Sequence, residues 1–252
     1  MRVRFLGTGT SHGVPVIGCN CRVCTSSDPR DKRTRSSLLV ETENGNILID
    51  TATEFRLQAI REGLDRVDSV LYTHCHADHV FGFDDLRRFN ELQDSSIPCY
   101  AKEDVIEDFR RIFDYVFLKT QIGGGKPQVE LNIINGPFSI CGQDIIPVKI
   151  FHGCIEILGY RIGKMAYITD CSSIPEGSLQ LLKDLDLLIL GALRYRPHPT
   201  HFSINEALKA VELLSPKRAF FTHICHDLHH EDVSRALPPG TALAYDGLVL
   251  EV

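Results

Sequence analysis

No run among the 252 residues approaches the roughly 18 consecutive apolar side chains that a membrane-crossing helix needs. The opening Met1-Arg2-Val3-Arg4-Phe5 alternates like a half-buried strand and lacks the continuous apolar core of an export signal. A basic surplus is missing too. With 27 Lys+Arg against 33 Asp+Glu the net charge is −6, which argues against a protein that lives on nucleic-acid backbones. No fixed-period repeat, low-complexity segment or Pro/Ser linker divides the chain, so one domain over residues 1–252 is expected. These absences predict a cytoplasmic protein without membrane contact. In that compartment nine Cys read as thiols or metal ligands before disulfides.

What is present is a 43% apolar chain able to build a sizeable core, in which short apolar runs alternate with helical patterns. The pattern predicts strands at Val3–Leu6, Leu38–Glu41, Asn46–Asp50, Ser69–Thr73, Ile97–Ala101, Asp144–Ile150, Gly159–Ile162, Met165–Asp170, Leu187–Leu190, Ala219–Thr222 and Leu248–Val252. It predicts helices at Glu54–Glu62, Asp84–Asn90, Asp104–Phe117, Pro175–Leu185, Ile204–Leu214 and Glu231–Ala236. The fifth has the clearest start, a capping box of Ser203 and Glu206 ahead of an Ile204/Ala207/Leu208/Val211 face. The stretch Gln121 to Pro127, with three successive glycines, reads as a loop tip able to act as a lid within a longer 103–140 region.

The densest chemistry is Thr73-His74-Cys75-His76-Ala77-Asp78-His79, four candidate metal ligands directly after the apolar Ser69–Tyr72 run. A strand holds the backbone still, and the turn after it can aim imidazoles and a carboxylate at one point. That mixed N/O set suits Zn(II), Mn(II) or Fe(II) and leaves room for an activated water. Further candidates end other strands: His152 after Val148–Phe151, Asp170 after Ala166–Thr169 and His223 after Ala219–Thr222. Seven ligand positions exceed one tetrahedral site, whereas two sites sharing a carboxylate use them all. A second cluster, Cys19-Asn20-Cys21-Arg22-Val23-Cys24, has structural-zinc spacing but no fourth ligand nearby. His226, Cys225, His229 and His230 are all open as that ligand.

The T-H-x-H-x-D-H run, followed by the separate His, Asp and His strand endings, resembles the metallo-β-lactamase superfamily over nearly the whole chain. The resemblance implies an α/β fold, a four-layer αββα sandwich in one domain, with a dinuclear centre along one edge. It places His74, His76 and His152 on one divalent ion, Asp78, His79 and His223 on the other, and Asp170 between them. Asp50, after Ile47-Leu48-Ile49, resembles the carboxylate that orients ligands from behind. The Cys triplet is similar to that of the phosphoribosyl cyclic phosphate phosphodiesterase branch of the carbon–phosphorus lyase pathway. That likeness implies a closed zinc site of Cys19, Cys21, Cys24 and His226, pinning a loop near residues 18–26.

The same resemblance implies two active-site divalent ions (Zn or Mn), one structural Zn and a homodimer. It implies metal-activated hydroxide attack on small phosphodiesters, including cyclic ribose phosphates, with Asp78 and Asp170 among the reacting-site residues. His201 would stabilise the transition state or protonate the leaving alkoxide, with His198 as its rival. Arg194 and Arg196 are phosphate-binding candidates. Two alternatives remain: a nuclease of the tRNA 3′-processing type, although its long basic arm has no equivalent here, and a non-hydrolytic metal-binding relative from cofactor biosynthesis. Gly7-Thr8-Gly9-Thr10-Ser11-His12-Gly13 lacks the helix a dinucleotide site requires. Arg30, Lys32, Arg33 and Arg35 read as a solvated basic loop.

Overall fold

The computed structural model describes residues 1–118 and 125–252. The first half of the chain forms β1 (Arg2–Gly7), β2 (Ser37–Thr42), β3 (Gly45–Ile49), α1 (Phe55–Glu62), β4 (Ser69–Leu71), α2 (Ala77–Val80), α3 (Leu86–Gln93), β5 (Ile97–Ala101), α4 (Glu103–Ile112), α5 (Asp114–Phe117) and β6 (Val129–Ile133). The second half forms β7 (Phe138–Ile140), β8 (Gln143–His152), β9 (Ile155–Ile162), β10 (Met165–Ile168), α6 (Glu176–Leu181), β11 (Leu187–Gly191), α7 (Ile204–Leu214), β12 (Arg218–Thr222), α8 (His230–Ala236), β13 (Thr241–Leu243) and β14 (Val249–Glu251).

These strands make two seven-stranded sheets, ordered β14-β1-β2-β3-β4-β5-β6 and β13-β12-β11-β10-β9-β8-β7. In each, an antiparallel part passes into a parallel part, at β3–β4 and at β10–β11. Alternation along the strands sorts side chains into layers. Leu38, Val40, Ile47 and Ile49 point between the sheets to meet Tyr160, Tyr167, Leu187 and Ile189. Leu39, Leu48 and Val70 point the other way, under Phe55, Phe89 and Phe109 from the first-half helices. Val148, Ile168, Leu188 and Leu190 likewise meet Leu182, Ala207 and Val233 on the outer face of the second sheet. Three apolar interfaces between four layers give the expected αββα sandwich. Strands buried on both faces read as unbroken apolar runs.

Several boundaries differ from expectation. The helix predicted at Asp104–Phe117 breaks at Phe113, whose φ of −111° and ψ of 39° leave the helical region. Its ring packs against Phe83, Phe109 and Phe81, so core packing overrides helical continuity. Strands β6, β7 and β13 had no counterpart in the predicted set; they are short and only partly buried, and carry little apolar periodicity. Of the Gly-rich tip expected as a lid, residues 121–124 lie outside the described residues. Among the described residues no helix is long and apolar enough to cross a membrane.

The basic run is not a solvated loop. Arg33 is 2% exposed and donates to Thr8 Oγ1 (2.9 Å), Ala244 O (2.6 Å) and His230 Nδ1 (3.1 Å). Arg30 pairs with Asp28 and Glu231, and Arg35 with Glu54. The Gly7–Thr10 segment is likewise structural. Asp246 accepts from Thr8 N (2.9 Å) and Thr34 N (2.8 Å), and a Cβ on Gly7 would lie 1.9 Å from Arg35 O.

Candidate metal centre

The carboxyl ends of parallel strands collect at one edge of the sandwich, the place where layered α/β folds leave a crevice. Asp50 follows β3, Thr73 and His74 follow β4, Asp170 follows β10, and His223 follows β12; His152 closes β8. Asp50, Asp170 and His223 all leave their strands with positive φ (61°, 51° and 56°). Asp and His tolerate the left-handed region better than most residues, at a cost of order 1 kcal/mol or more each. The turns thereby bring side chains from distant strands to one point.

Three overlapping sets of donors result. His74, His76 and His152 have ligand atoms within 4.8 Å of one another, as do Asp78, His79, Asp170 and His223, and also His152, Asp170 and His201. Asp170 stands between the first two. Its Oδ1 is 3.0 Å from His223 Nδ1 and 3.4 Å from His79 Nε2, while its Oδ2 is 4.0 Å from His74 Nε2 and 4.0 Å from His201 Nδ1.

Hydrogen bonds behind the rings fix which nitrogen faces inward. Asp50, fully buried, accepts from Thr73 N (2.8 Å), Thr73 Oγ1 (2.8 Å) and His79 Nδ1 (2.7 Å). Because the Thr73 hydroxyl proton is given to Asp50, that oxygen accepts from His74 Nδ1 at 3.0 Å. His152 Nδ1 donates to Thr200 O at 2.8 Å. In these three rings Nδ1 is bonded to an oxygen behind the ring and Nε2 faces the centre, whereas His76 and His223 turn Nδ1 inward.

This arrangement fits cations and little else. His79 Nε2 is buried with no hydrogen-bond partner, and it faces Asp78 Oδ2 at 3.3 Å as well as Asp170. His74 Nε2 lies within hydrogen-bond distance of Nδ1 of the more exposed His76, at 3.0 Å. The buried His79 nitrogen and the two carboxylates around it are stable together only if positive charge lies among them. Where only protons are available, burial disfavours the charged ring, yet Asp170, Asp78 and Asp50 together raise His79 well above the ordinary imidazole range. Burial also works against the carboxylate of Asp170, but His223, His79 and His74 outweigh it and hold the group well below its usual range. A proton there does the electrostatic work a divalent ion would do.

His201 approaches the same centre, its ring 4.6 Å from that of His152 and stacked 4.9 Å from that of His223. His198 lies one layer out, 5.1 Å from the His201 ring. Arg194 and Arg196 turn to protein groups: Arg194 donates to Arg196 O (3.2 Å) and Pro197 O (3.3 Å), and Arg196 to Asp227 Oδ2 (3.3 Å).

A family model described as a beta-lactamase superfamily domain matches residues 45–224. The chain belongs to the metallo-β-lactamase superfamily. Within the superfamily, its fold matches a solved structure described as a new diphosphatase from the PhnP family, with a TM-score of 0.93 and 44% identity, covering 100% of this chain and 97% of that one. This agrees with the phosphodiesterase branch suggested by the Cys triplet. An octanoyltransferase of Porphyromonas gingivalis is 41% identical over 254 residues, covering 98% of this chain and 51% of that protein. A ribonuclease Z of Saccharolobus solfataricus is 25% identical over 198 residues, covering 77% of this chain and 58% of that protein. The chain thus spans little more than half the length of these two relatives.

A second cluster lies apart from this superfamily centre. Cys19, Cys21 and Cys24 place their sulfurs 3.3, 3.5 and 3.5 Å from His226 Nδ1. A tetrahedral zinc with roughly 2.3 Å bonds to sulfur and 2.1 Å to nitrogen has S···N edges of about 3.6 Å, so the four donors fit that ion. A bond from Cys24 N–H, ahead of the neighbouring thiols and His226, pulls the Cys21 thiol down to about 6, while burial pushes the Cys24 thiol up to about 11. The other candidates are engaged elsewhere. Cys225 Sγ accepts from Asp227 N, His229 faces Asp31 and Asp232, and His230 accepts from Arg33. Thr73 and Thr200, which orient His74 and His152, had no role in the sequence reading. Thr73 was visible as the first letter of the motif; Thr200 acts through its carbonyl, which sequence does not mark.

Proposed function

We propose that this chain is a dinuclear, divalent-metal-dependent phosphohydrolase acting on small phosphodiesters, including cyclic ribose phosphates. The observation that carries the reading is Asp170, whose two oxygens face two separate donor groups across one carboxylate. His74, His76 and His152 would hold one ion, Asp78, His79 and His223 the other, and Asp170 would be shared. Bound there, a pair of Zn(II) or Mn(II) ions would supply Lewis acidity and an activated water at neutral pH. The description of the 44%-identical neighbour as a diphosphatase supports phosphorus as the atom attacked.

The protein's own groups then have defined tasks. Asp50 holds His79 directly and His74 through Thr73, so the ligands need no reorganisation when charge develops. Burial and the nearby His223 push His201 down to about 3, so at neutral pH it is an uncharged imidazole. It serves as a hydrogen-bond donor to the phosphoryl oxygens more readily than as a stored proton. In the same reading Cys19, Cys21, Cys24 and His226 hold one structural zinc, and the chain works as a homodimer.

Purified protein should carry about three metal ions per chain, hydrolyse bis(p-nitrophenyl) phosphate, and lose that activity in Asp170→Ala while keeping the thiolate-bound zinc. A fully loaded protein inert toward this ester, cyclic ribose phosphates and diphosphate-linked nucleotides would overturn the proposal. The 25% identity to a ribonuclease Z favours a second reading as a nuclease. Cleavage of precursor tRNA faster than of the small esters would select it.

A further inference from the structure

The segment between β11 and α7 is closed on itself. Leu193 N donates to Phe202 O (2.9 Å), Ile204 N to Arg194 O (2.9 Å), and Phe202 N to Cys171 O (2.6 Å), beside Asp170. Inside that closure lies a local motif. The imidazole of His198 receives two bonds at Nδ1, from Thr200 N–H (3.3 Å) and from Thr200 Oγ1 (3.2 Å). A ring nitrogen accepting from a backbone amide carries no proton of its own, so the hydroxyl is also the donor. The motif has the geometry of an Asx turn, with Nδ1 where an Asn side-chain oxygen would stand.

Thr200 is in turn the residue whose carbonyl accepts the Nδ1 proton of His152. On its other side, the Thr200 methyl leaves no space for a side chain at Gly153, where a Cβ would lie 2.8 Å from Cγ2 and φ is +64°. Thr200 is therefore clamped between His198 and the β8–β9 turn, and its carbonyl direction is set by that clamp. His201 follows Thr200 directly, so the same clamp sets where its ring emerges.

We propose that His198 is a positioning residue: by accepting from Thr200 at Nδ1 it fixes the Thr200 carbonyl, which holds His152 with Nε2 facing the metal centre and presents His201 beside it. It is not the proton donor to the leaving group. The inference rests on the metal-site part of the proposed function, but it is read without any substrate.

The test compares His198→Ala with His198→Asn. Asn supplies an oxygen close to the position of Nδ1 and cannot act as an acid. The first readout is the tautomer of His152 in metal-free protein, from long-range proton–nitrogen spectra of the imidazoles. Wild type and His198→Asn should show the Nδ1–H form; His198→Ala should show a mixture. The second is Mn(II) affinity by calorimetry, expected to fall about tenfold in His198→Ala and to recover in His198→Asn, the scale seen when a group behind a ligand is removed. Unchanged His152 tautomer and Mn(II) affinity in His198→Ala would overturn the proposal. So would a His198→Asn protein as slow as His198→Ala with wild-type metal affinity, because that pattern belongs to a lost acid. If wild type binds Mn(II) but hydrolyses no phosphoester, the functional reading fails while both readouts still decide the role of His198.

Discussion

Replacing Asp50 with Asn probes the centre from behind, at a residue that meets its ligands without joining either donor set. Asn matches Asp in shape and tolerates the left-handed backbone at φ 61°, so the substitution changes chemistry more than fold. The native carboxylate accepts three hydrogen bonds: Oδ1 from Thr73 N, and Oδ2 from Thr73 Oγ1 and His79 Nδ1. An amide has one accepting oxygen. With its oxygen toward His79, the NH₂ group opposes Thr73 N–H; turned over, it opposes both His79 and the Thr73 hydroxyl. At least one buried donor is left unpaired, at about 1–3 kcal/mol. Denaturant unfolding of the metal-free variant should show a loss of that size. Mn(II) affinity should fall by ~10–100-fold, the usual effect of removing a group that orients a ligand. Affinity equal to wild type in a normally folded Asp50→Asn protein would refute the assignment of Asp50 as the organiser of His74 and His79.

Three other outcomes are expected. His201→Ala should lower turnover by about 10²-fold with metal content unchanged, and equal turnover would remove His201 from the reaction. Cys21→Ala should lose about one zinc per chain and melt at lower temperature, whereas retention of that zinc would remove Cys21 as its ligand. His230 is 4% exposed and accepts from Arg33; burial, then the Arg33 charge, push its pKa down to about 4. The unfolded chain therefore binds the extra proton first, and stability is lost as pH falls from about 6.5 to about 4, by up to roughly 3 kcal/mol. Unfolding curves across that window should separate wild type from His230→Asn, and parallel curves would contradict the buried neutral ring.

The α/β alternation and the principal strands were legible because strands buried on both faces leave unbroken apolar runs between turn residues. The short, half-exposed β6, β7 and β13 left no such mark. Arg33 shows a complementary failure. A basic run in sequence looks solvated, but one of its members turns inward once Thr8, Ala244 and His230 arrive from elements up to 211 positions away.

By itself, the sequence determined the kind of chemistry. Ligand-forming residue types crowd into one post-strand turn, more of them end other strands, and three thiols repeat at zinc spacing, because metals require those atoms whatever the fold. Only the tertiary structure decided which donors face one another. Asp170 sets its two oxygens toward separate groups of imidazoles, and His226 rather than Cys225, His229 or His230 meets the thiols, because strand ends far apart in the chain are brought to one edge. The tautomer of each ring was equally out of reach, since it depends on an oxygen behind it: Asp50 for His79, Thr73 for His74, and the carbonyl of Thr200 for His152.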